Sequence, residues 1–342
     1  MDGSPECLAL VGHRTVRFAR PWLNSVGARF LESGLETVLI LEDDVDWDIR
    51  LRSLQIPLAA SAVRQLLPPV RSYHPVTNFR NSRTRYWGNH DAWDLLYLGH
   101  CGDYFGPLTT DQDGFDLSRH SPNLTGVPHA VYEDPTLPPR EELHPFTQNL
   151  FKLLGIPEKS RVMHRSKFPL CSFGYAVTRS TALRLLTDLP TAKYQEHGPH
   201  AFDIALLEAC RNHDPKPMRT RTPASAMSPP APETSRNGLR CWTLNSELFH
   251  HMPGPSLIDE ISLKSSHPHG LPPVDKAAQE QVARRNETSN IDCGFWNGAF
   301  AFNDGDIEQL QNLQEQVGRQ GKCLKQGRRP TDSTMLEAPI AK

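Results

Sequence analysis

Thr37-Val-Leu-Ile-Leu-Glu-Asp-Asp-Val-Asp-Trp-Asp48 is an apolar run that ends abruptly in acids. A continuous run this short, bounded by polar residues, reads as a strand buried on both faces. Glu42, Asp43, Asp44, Asp46 and Asp48 then stand at its carboxyl end, where open α/β sheets bind their ligands. Four aspartates within residues 43–48 repel one another unless a positive charge sits among them. A divalent cation with hard oxygen ligands, Mg, Mn or Ca, meets that need. Asp44-Val-Asp46-Trp-Asp48 has the spacing that opens a calcium EF-hand loop, but Ile49 and Gln55 occupy the positions that need Gly and Glu. The acids also follow a strand and not a helix. A metal–diphosphate site and a solvated acidic turn remain.

Working outward, residues 21–33 read as a helix that leads into this strand, with Pro21 in its first turn and Gly34 as its stop. Residues 49–67 read as a helix halted by Pro68-Pro69. Asp94-Leu-Leu-Tyr-Leu-Gly-His-Cys-Gly102 gives a second buried strand with a glycine-flanked exit. Residues 103–138 read as a long loop rich in Pro, Asp, Gly and Thr, of the kind that is functional or disordered. Residues 139–154 carry the helical apolar period. Residues 170–177 form a third strand, and Thr178 caps a helix over 179–188. A short helix over 201–211 contains Asp203. The Pro/Ser/Thr-rich residues 213–238 read as a flexible insertion. Order returns at Leu239-Arg-Cys-Trp-Thr-Leu244, and the tail after about residue 320 reads as disordered. Strands alternating with helices predict an α/β fold with a mostly parallel sheet. Three segments follow: a leader over 1–20, one domain over 21–320 and the tail over 321–342.

Bulk properties set the outer limits. The chain has 342 residues, enough for one large domain. Its 37 Lys+Arg and 39 Asp+Glu give a formal charge of −2, which argues against a nucleic-acid footprint. Proline supplies 30 residues, about 9% against roughly 5% on average, so much of the chain must be loop. No run approaches the ~18 apolar residues of a membrane span, and the acidic start, Met-Asp-Gly-Ser-Pro-Glu-Cys7, does not read as a signal peptide. Seven cysteines show no Cys-x-x-Cys pair, hence no zinc motif, and an odd number cannot all pair internally. Asn123-Leu-Thr125 and Asn286-Glu-Thr288 are glycosylation sequons, relevant only in a secretory lumen.

Several features occur in a telling order: Leu41-Glu-Asp-Asp44, the Trp93-Asp-Leu-Leu-Tyr-Leu-Gly99 strand, the Gly174-Tyr-Ala-Val-Thr178 step, Glu247-Leu-Phe-His-His251 and Asp292-Cys-Gly-Phe-Trp296. Together, over roughly residues 28–320, they resemble glycosyltransferase family 25, in particular fungal members of the lipopolysaccharide-biosynthesis type. The resemblance implies a GT-A fold, a Rossmann-like sheet that binds a sugar nucleotide. It implies Mn²⁺ (or Mg²⁺) held by an acidic motif against the diphosphate of a UDP-sugar, typically UDP-galactose, where the metal neutralises the departing diphosphate. Here that motif is Glu42-Asp43-Asp44, with Asp46 as an added candidate. Asp44 is favoured as direct ligand, with Asp43 or Glu42 on ribose or metal; the register Asp44-Val-Asp46 is the other reading.

The resemblance also implies a late histidine ligand, for which His250 and His251 are candidates; the plainer reading is two surface histidines at a helix end. It implies an inverting reaction in which a carboxylate takes the proton of an acceptor hydroxyl on a glycan or glycoprotein. Asp203 matches the family's acid, and Asp103 is the alternative; for either, a cap or turn acid is the plainer reading. Gly174 and Tyr175 line the acceptor side or simply pack. The family's usual home is the secretory pathway. Two other readings stand beside the enzyme: an inactive relative, and a metal-dependent phosphoester hydrolase, which would need more scattered metal-binding motifs than this chain offers.

The likeness breaks at the N-terminus. Only 41 residues precede Glu42, and Arg20-Pro-Trp-Leu-Asn-Ser-Val26 stands where the family carries a Gly-Cys-x-x-Ser-His-type helix start. Leu8-Ala-Leu-Val11 reads as a short strand at most, so the first full strand of the sheet is expected to be missing, and with it part of the nucleotide-binding unit. That would leave an unpaired edge and a weak or inactive transferase.

Overall fold

A computed structural model describes residues 8–12, 27–42, 45–68, 86–103, 105, 123–187, 202–211, 238–252, 291, 293 and 300–324. Eleven strands appear among them: β1 (Leu8–Gly12), β2 (Thr37–Glu42), β3 (Val45–Trp47), β4 (Leu95–Gly99), β5 (Gly102–Asp103), β6 (His129–Glu133), β7 (Ser160–Arg165), β8 (Pro169–Leu170), β9 (Gly174–Thr178), β10 (Cys241–Asn245) and β11 (Phe249–His251). The helices are α1 (27–32), α2 (Ile56–Leu66), α3 (Pro145–Leu154), α4 (Arg179–Thr187), α5 (Phe202–Arg211) and α6 (Ile307–Leu313). A π-helical turn over Leu51–Gln55 runs into α2, which ends before Pro68 as its sequence requires. Gly34, at φ +74°, closes the turn after α1.

Seven strands form one sheet in the order β1-β2-β9-β4-β10-β7-β6. It is a mixed sheet, not the mostly parallel one expected. Only β1–β2 and β4–β10 pair in parallel; β2–β9, β4–β9, β7–β10 and β6–β7 are antiparallel. The reason is interleaving. β1, β2, β4, β10 and β6 all run one way, but β9 threads back between β2 and β4, and β7 between β10 and β6. Apolar periodicity reports burial, not direction, so it could not reveal these reversals.

The short run Leu8–Val11 does form a strand, and it stands where the first strand of the sheet was expected to be missing. Leu8–Gly12 pairs in parallel with β2, Ala9 opposite Leu39 and Gly12 opposite Glu42. The acidic strand is thus second from the sheet edge rather than central.

Side chains alternate across the sheet and fill two cores. On one face Leu41, Leu96, Leu98, Ala176, Trp242 and Leu244 meet Ala59, Ala60 and Val63 of α2. On the other, Val38, Ile40, Leu95, Tyr97, Tyr175 and Val177 meet Phe30 of α1, Leu185 of α4 and Leu206 of α5. The central strands β4, β9 and β10 are buried at every position, and each fully buried Leu or Val contributes about 1.5–3 kcal/mol. Leu150 and Phe151 of α3 form a smaller cluster with Val162 of β7.

Thr178 caps α4 as expected, its hydroxyl accepting from the Thr181 amide at 3.3 Å. The run expected as one strand over 170–177 is split. Cys171, at φ +62°, turns the chain between β8 and β9 and is bonded to Cys101. The expected loop 103–138 contains β6, and β7 was not anticipated. Residues 213–237 of the expected insertion and 325–342 of the tail lie outside the described residues.

Candidate functional site

Because β1, β2, β4 and β10 run in one direction, their carboxyl ends share one edge of the sheet. The chain leaves β2 and β10 at that edge and immediately pairs again. β3, just after the acids, lies antiparallel to β11, with Phe249 opposite Trp47, His250 opposite Asp46 and His251 opposite Val45. Directly opposed residues in such a ladder share a face. The early acid Asp46 and the late His250 are therefore neighbours on one face, both largely buried, at 1% and 7% exposure. On the other face Trp47 and Phe249 meet edge to face, with ring centroids 6.0 Å apart.

The ladder is seated by two glycines. A Cβ added at Gly99, the end of β4, would lie 2.9 Å from the Gly174 amide nitrogen and 2.9 Å from Phe249 Cβ. One added at Gly174, the start of β9, would lie 2.9 Å from Phe249 Cδ2. Phe249 thus drops into a notch that only glycine leaves open, and this fixes the height of β11 over the sheet edge.

His250 is oriented from behind. Its Nδ1 lies 3.3 Å from Glu247 Oε1, and Glu247, 2% exposed, accepts a 3.0 Å hydrogen bond from the Ser246 hydroxyl at its other oxygen. A carboxylate on Nδ1 selects the tautomer with its lone pair on Nε2, as in carboxylate–histidine–metal arrangements. The loop carrying Glu247 is pinned by Arg161, whose guanidinium donates to the carbonyls of Ser246 and Glu247 and is paired with Asp134 at 2.6 Å. Burial alone would raise the Asp134 carboxyl, but Arg161 and the donors from Thr136 outweigh it and hold the group below its usual range.

His250 and His251 do not act as a pair. Neither stands at a helix end; both are on β11, whose alternation sends them to opposite faces. His251 shares the face of Val45, exposed, with its ring 5.9 Å from that of Phe173. Asp43 and Asp44 lie outside the described residues. Glu42 ends β2, its amide donating to the Phe173 carbonyl at 3.0 Å. Asp48 belongs to the turn that starts the next helix: it accepts from the Arg50 amide at 2.7 Å and pairs with the Arg50 guanidinium at 3.2 Å.

Asp203 sits in the first turn of α5, partly buried, with Oδ1 accepting from the Ile204 amide at 2.9 Å. The next face of the sheet lies against it. Phe202 approaches the Tyr175 ring at 6.2 Å. The Tyr97 hydroxyl is pushed well above its ordinary value by burial, and then by the negative charges of Asp203 and Asp103 nearby. Burial likewise raises Tyr175, with Glu42 adding to it. Tyr175 is 3% exposed within the core against α5, so it packs rather than lining a surface.

Asp103, the alternative acid, is enclosed by hydrogen-bond donors. Its side chain has no exposure, and its oxygens accept from the Thr243 hydroxyl at 2.8 Å and from the Lys167 and Phe168 amides. Burial lifts its carboxyl to about 6 against the opposing pull of those donors.

Among the described residues no group of three or more His, Cys, Asp or Glu is arranged to hold a metal ion. The Asp46/His250 pair presents one carboxylate, whose Oδ1 accepts from the Trp47 amide at 2.7 Å, and one imidazole, of which the carboxylate is the donor type that suits Mn²⁺ and the imidazole suits it less well. No described helix is long and apolar enough to cross a membrane. Glu247 and Arg161 were not singled out from sequence. A Glu three residues before a His was the available signal for the first; Arg161 had none, since its partners lie 27 and 85 residues away. Compared with protein-family models, with characterised proteins and with solved structures, the chain finds no match.

Proposed function

We propose that this protein is a metal-dependent glycosyltransferase with a GT-A-like nucleotide-binding sheet, moving a hexose, galactose in the first instance, from a UDP-sugar to an acceptor hydroxyl with inversion. The observation that carries the reading is the β3–β11 register. It joins an acid from residues 42–48 to a histidine some 200 residues later, at the carboxyl edge of the sheet, where α/β folds bind nucleotides. The order of motifs in the sequence points the same way.

In this reading Asp46 and His250, together with Asp44, hold Mn²⁺ against the donor diphosphate. The bound metal supplies charge neutralisation for the leaving UDP. Glu247 fixes the His250 ring, and Arg161 fixes Glu247. Asp203, on the neighbouring helix start, takes the acceptor hydroxyl proton as the new glycosidic bond forms at C1 and the bond from C1 to the diphosphate oxygen breaks.

Calorimetry with UDP tests the site. Binding is expected to need Mn²⁺, to vanish with EDTA, and to fall at least tenfold in Asp44→Ala and in His250→Ala, because a lost ligand loosens the metal and leaves the diphosphate less neutralised. UDP binding that ignores EDTA or is undiminished in both variants would refute the assignment. Hydrolysis or transfer from UDP-galactose should then be lost in Asp203→Asn while UDP binding persists.

A further inference from the structure

We infer that Asn123 is an N-glycosylation site. Three observations, none of which depends on the proposed glycosyl transfer, carry this. First, six of the seven cysteines are joined in three disulfides, Cys101–Cys171, Cys210–Cys241 and Cys293–Cys323. Bonds of this kind form and persist in oxidising compartments, the secretory lumen above all. That lumen is also where asparagine side chains in Asn-x-Ser/Thr meet lipid-diphosphate-linked oligosaccharides.

Second, the folded chain accommodates a modified sequon at Asn123-Leu-Thr125. Asn123 and Thr125 are both exposed. The Thr125 amide donates to Asn123 Oδ1 at 2.7 Å, and Val127 N–H to the Leu124 carbonyl at 2.9 Å, so the sequon is a tight turn closed through the side-chain oxygen. This leaves the Nδ2 amide as the atom that is not used by the turn. Gly126, at φ +76°, completes it with open space beside its Cα.

Third, the surroundings have room for a bulky polar substituent and a use for one. A cleft of about 670 Å³ adjoins the turn, bordered by Asn123, Thr125, Val131 and Leu153. Val131 and Leu153 are 43% and 49% exposed, among the few large apolar side chains that face solvent in the described residues. Val131 lies on β6, the last strand of the sheet, whose only ladder partner among the described residues is β7. A strand at a sheet edge presents unpaired backbone groups that invite pairing with a second chain, and a glycan six residues before it blocks that approach.

The chemistry balances as a substitution. Asn123 Nδ2 forms a bond to C1 of the first sugar while the bond from that C1 to the lipid diphosphate breaks. The lipid diphosphate leaves with the electron pair, and the amide gives up one proton to the oligosaccharide-transferring enzyme.

The test is chemical and reads the unaltered protein. The full chain, led into the lumen of a eukaryotic cell by a cleavable signal sequence, is isolated from the translocated pool and deglycosylated by a peptide amidase in heavy-oxygen water. Asn123 is expected to emerge as heavy-oxygen-labelled Asp. The gel position should drop by one glycan in Asn123→Gln and in Thr125→Ala but not in Thr125→Ser. An unmodified Asn123 in translocated chain, whether secreted or retained, overturns the assignment. So does a Thr125→Ala variant that keeps the label at position 123. Attachment precedes folding, so a poorly folding variant still gives its answer.

Discussion

From sequence Asp46 was an added candidate behind Asp44; what sets it apart is a partner found only in three dimensions, His250 opposite it on β11. The register that sets it opposite His250 puts the two adjacent histidines on opposite faces of β11. His250→Ala is expected to abolish Mn²⁺-dependent UDP binding, whereas His251→Ala, on the opposite face of β11, should leave it within about twofold and cost no more than the ~0.5 kcal/mol of an ordinary surface change. Glu247→Gln should weaken metal affinity by roughly 10–100-fold without removing it, the usual effect of losing the group that orients a ligating histidine. Equal losses in the two histidine variants would break the argument from strand alternation.

Asp103 gives a residue-scale prediction of a different kind. Its carboxyl sits at about 6 in the folded protein against 3.8 for a free aspartate. The folded state therefore holds this proton more tightly than the unfolded chain. The associated stabilisation is complete below about pH 3.8 and is lost as pH rises through about 6. Asp94 and Asp134, both held below the ordinary value, act in a separate window: their contribution is present above 3.8 and disappears as pH falls below it. Buried His100 and His164 are pushed down by desolvation and give a slope of opposite sign below pH 6.5, which for His164 extends to about pH 4. The informative quantity is thus the difference between wild type and Asp103→Asn. Denaturant titrations at pH 4 and pH 7 should show the variant lacking a term of about 2–3 kcal/mol in that interval. Identical pH profiles would mean that Asp103 is not enclosed as described.

At the scale of elements, the sequence declared itself wherever burial was uniform or a cap was chemical. β2, β4 and β9 are continuous apolar runs, and α4 begins at a threonine that caps it. α3 and α5 carry an apolar stripe at helical period. What stayed hidden had another physical character. β6 alternates exposed with half-buried residues across His129–Glu133 and is embedded in a polar, proline-rich stretch, so composition outweighed its short period-two signal. β3 and β11 are three residues each, and exist only because each supplies the other's hydrogen bonds. A ladder that short has no local signature. It depends instead on the notch at Gly99 and Gly174, and that dependence can be measured. Gly99→Ala would place a methyl group 2.9 Å from both backbone and Phe249 Cβ. The first cannot move without shifting β9 nor the second without shifting β11, so a cost of about 1–3 kcal/mol is expected. UDP binding should fall with it, since His250 follows Phe249. Phe249→Gly, which removes the Cβ that the new methyl meets, should cost less in the Gly99→Ala background than in wild type, and a simple sum of the two costs would contradict the steric account.

For the whole molecule, two disulfides tie opposite edges of the sheet, and their roles can be told apart. Cys101–Cys171 joins the exit of β4 to the entry of β9, the carboxyl edge on which the β3–β11 ladder rests. Cys210–Cys241 joins the end of α5 to the start of β10, at the amino edge. The chains they close span 70 and 31 residues. On the chain-entropy view these loops are worth about 4.4 and about 3.7 kcal/mol, a difference too small to separate them by stability. Position separates them instead. Opening the first bond frees the backbone beside Gly99, Gly174 and Phe249, and so the height of His250 over the site. Opening the second loosens the attachment of α5 on the far side of the sheet. Both paired serine variants, Cys101→Ser with Cys171→Ser and Cys210→Ser with Cys241→Ser, should melt several degrees below wild type. Measured well below either melting point, Mn²⁺-dependent UDP affinity should fall at least tenfold in the first and stay within about threefold of wild type in the second, an energy gap of about 0.7 kcal/mol or more. Equal affinities in the two variants would detach the binding site from the carboxyl edge and leave the β3–β11 register as a structural feature alone.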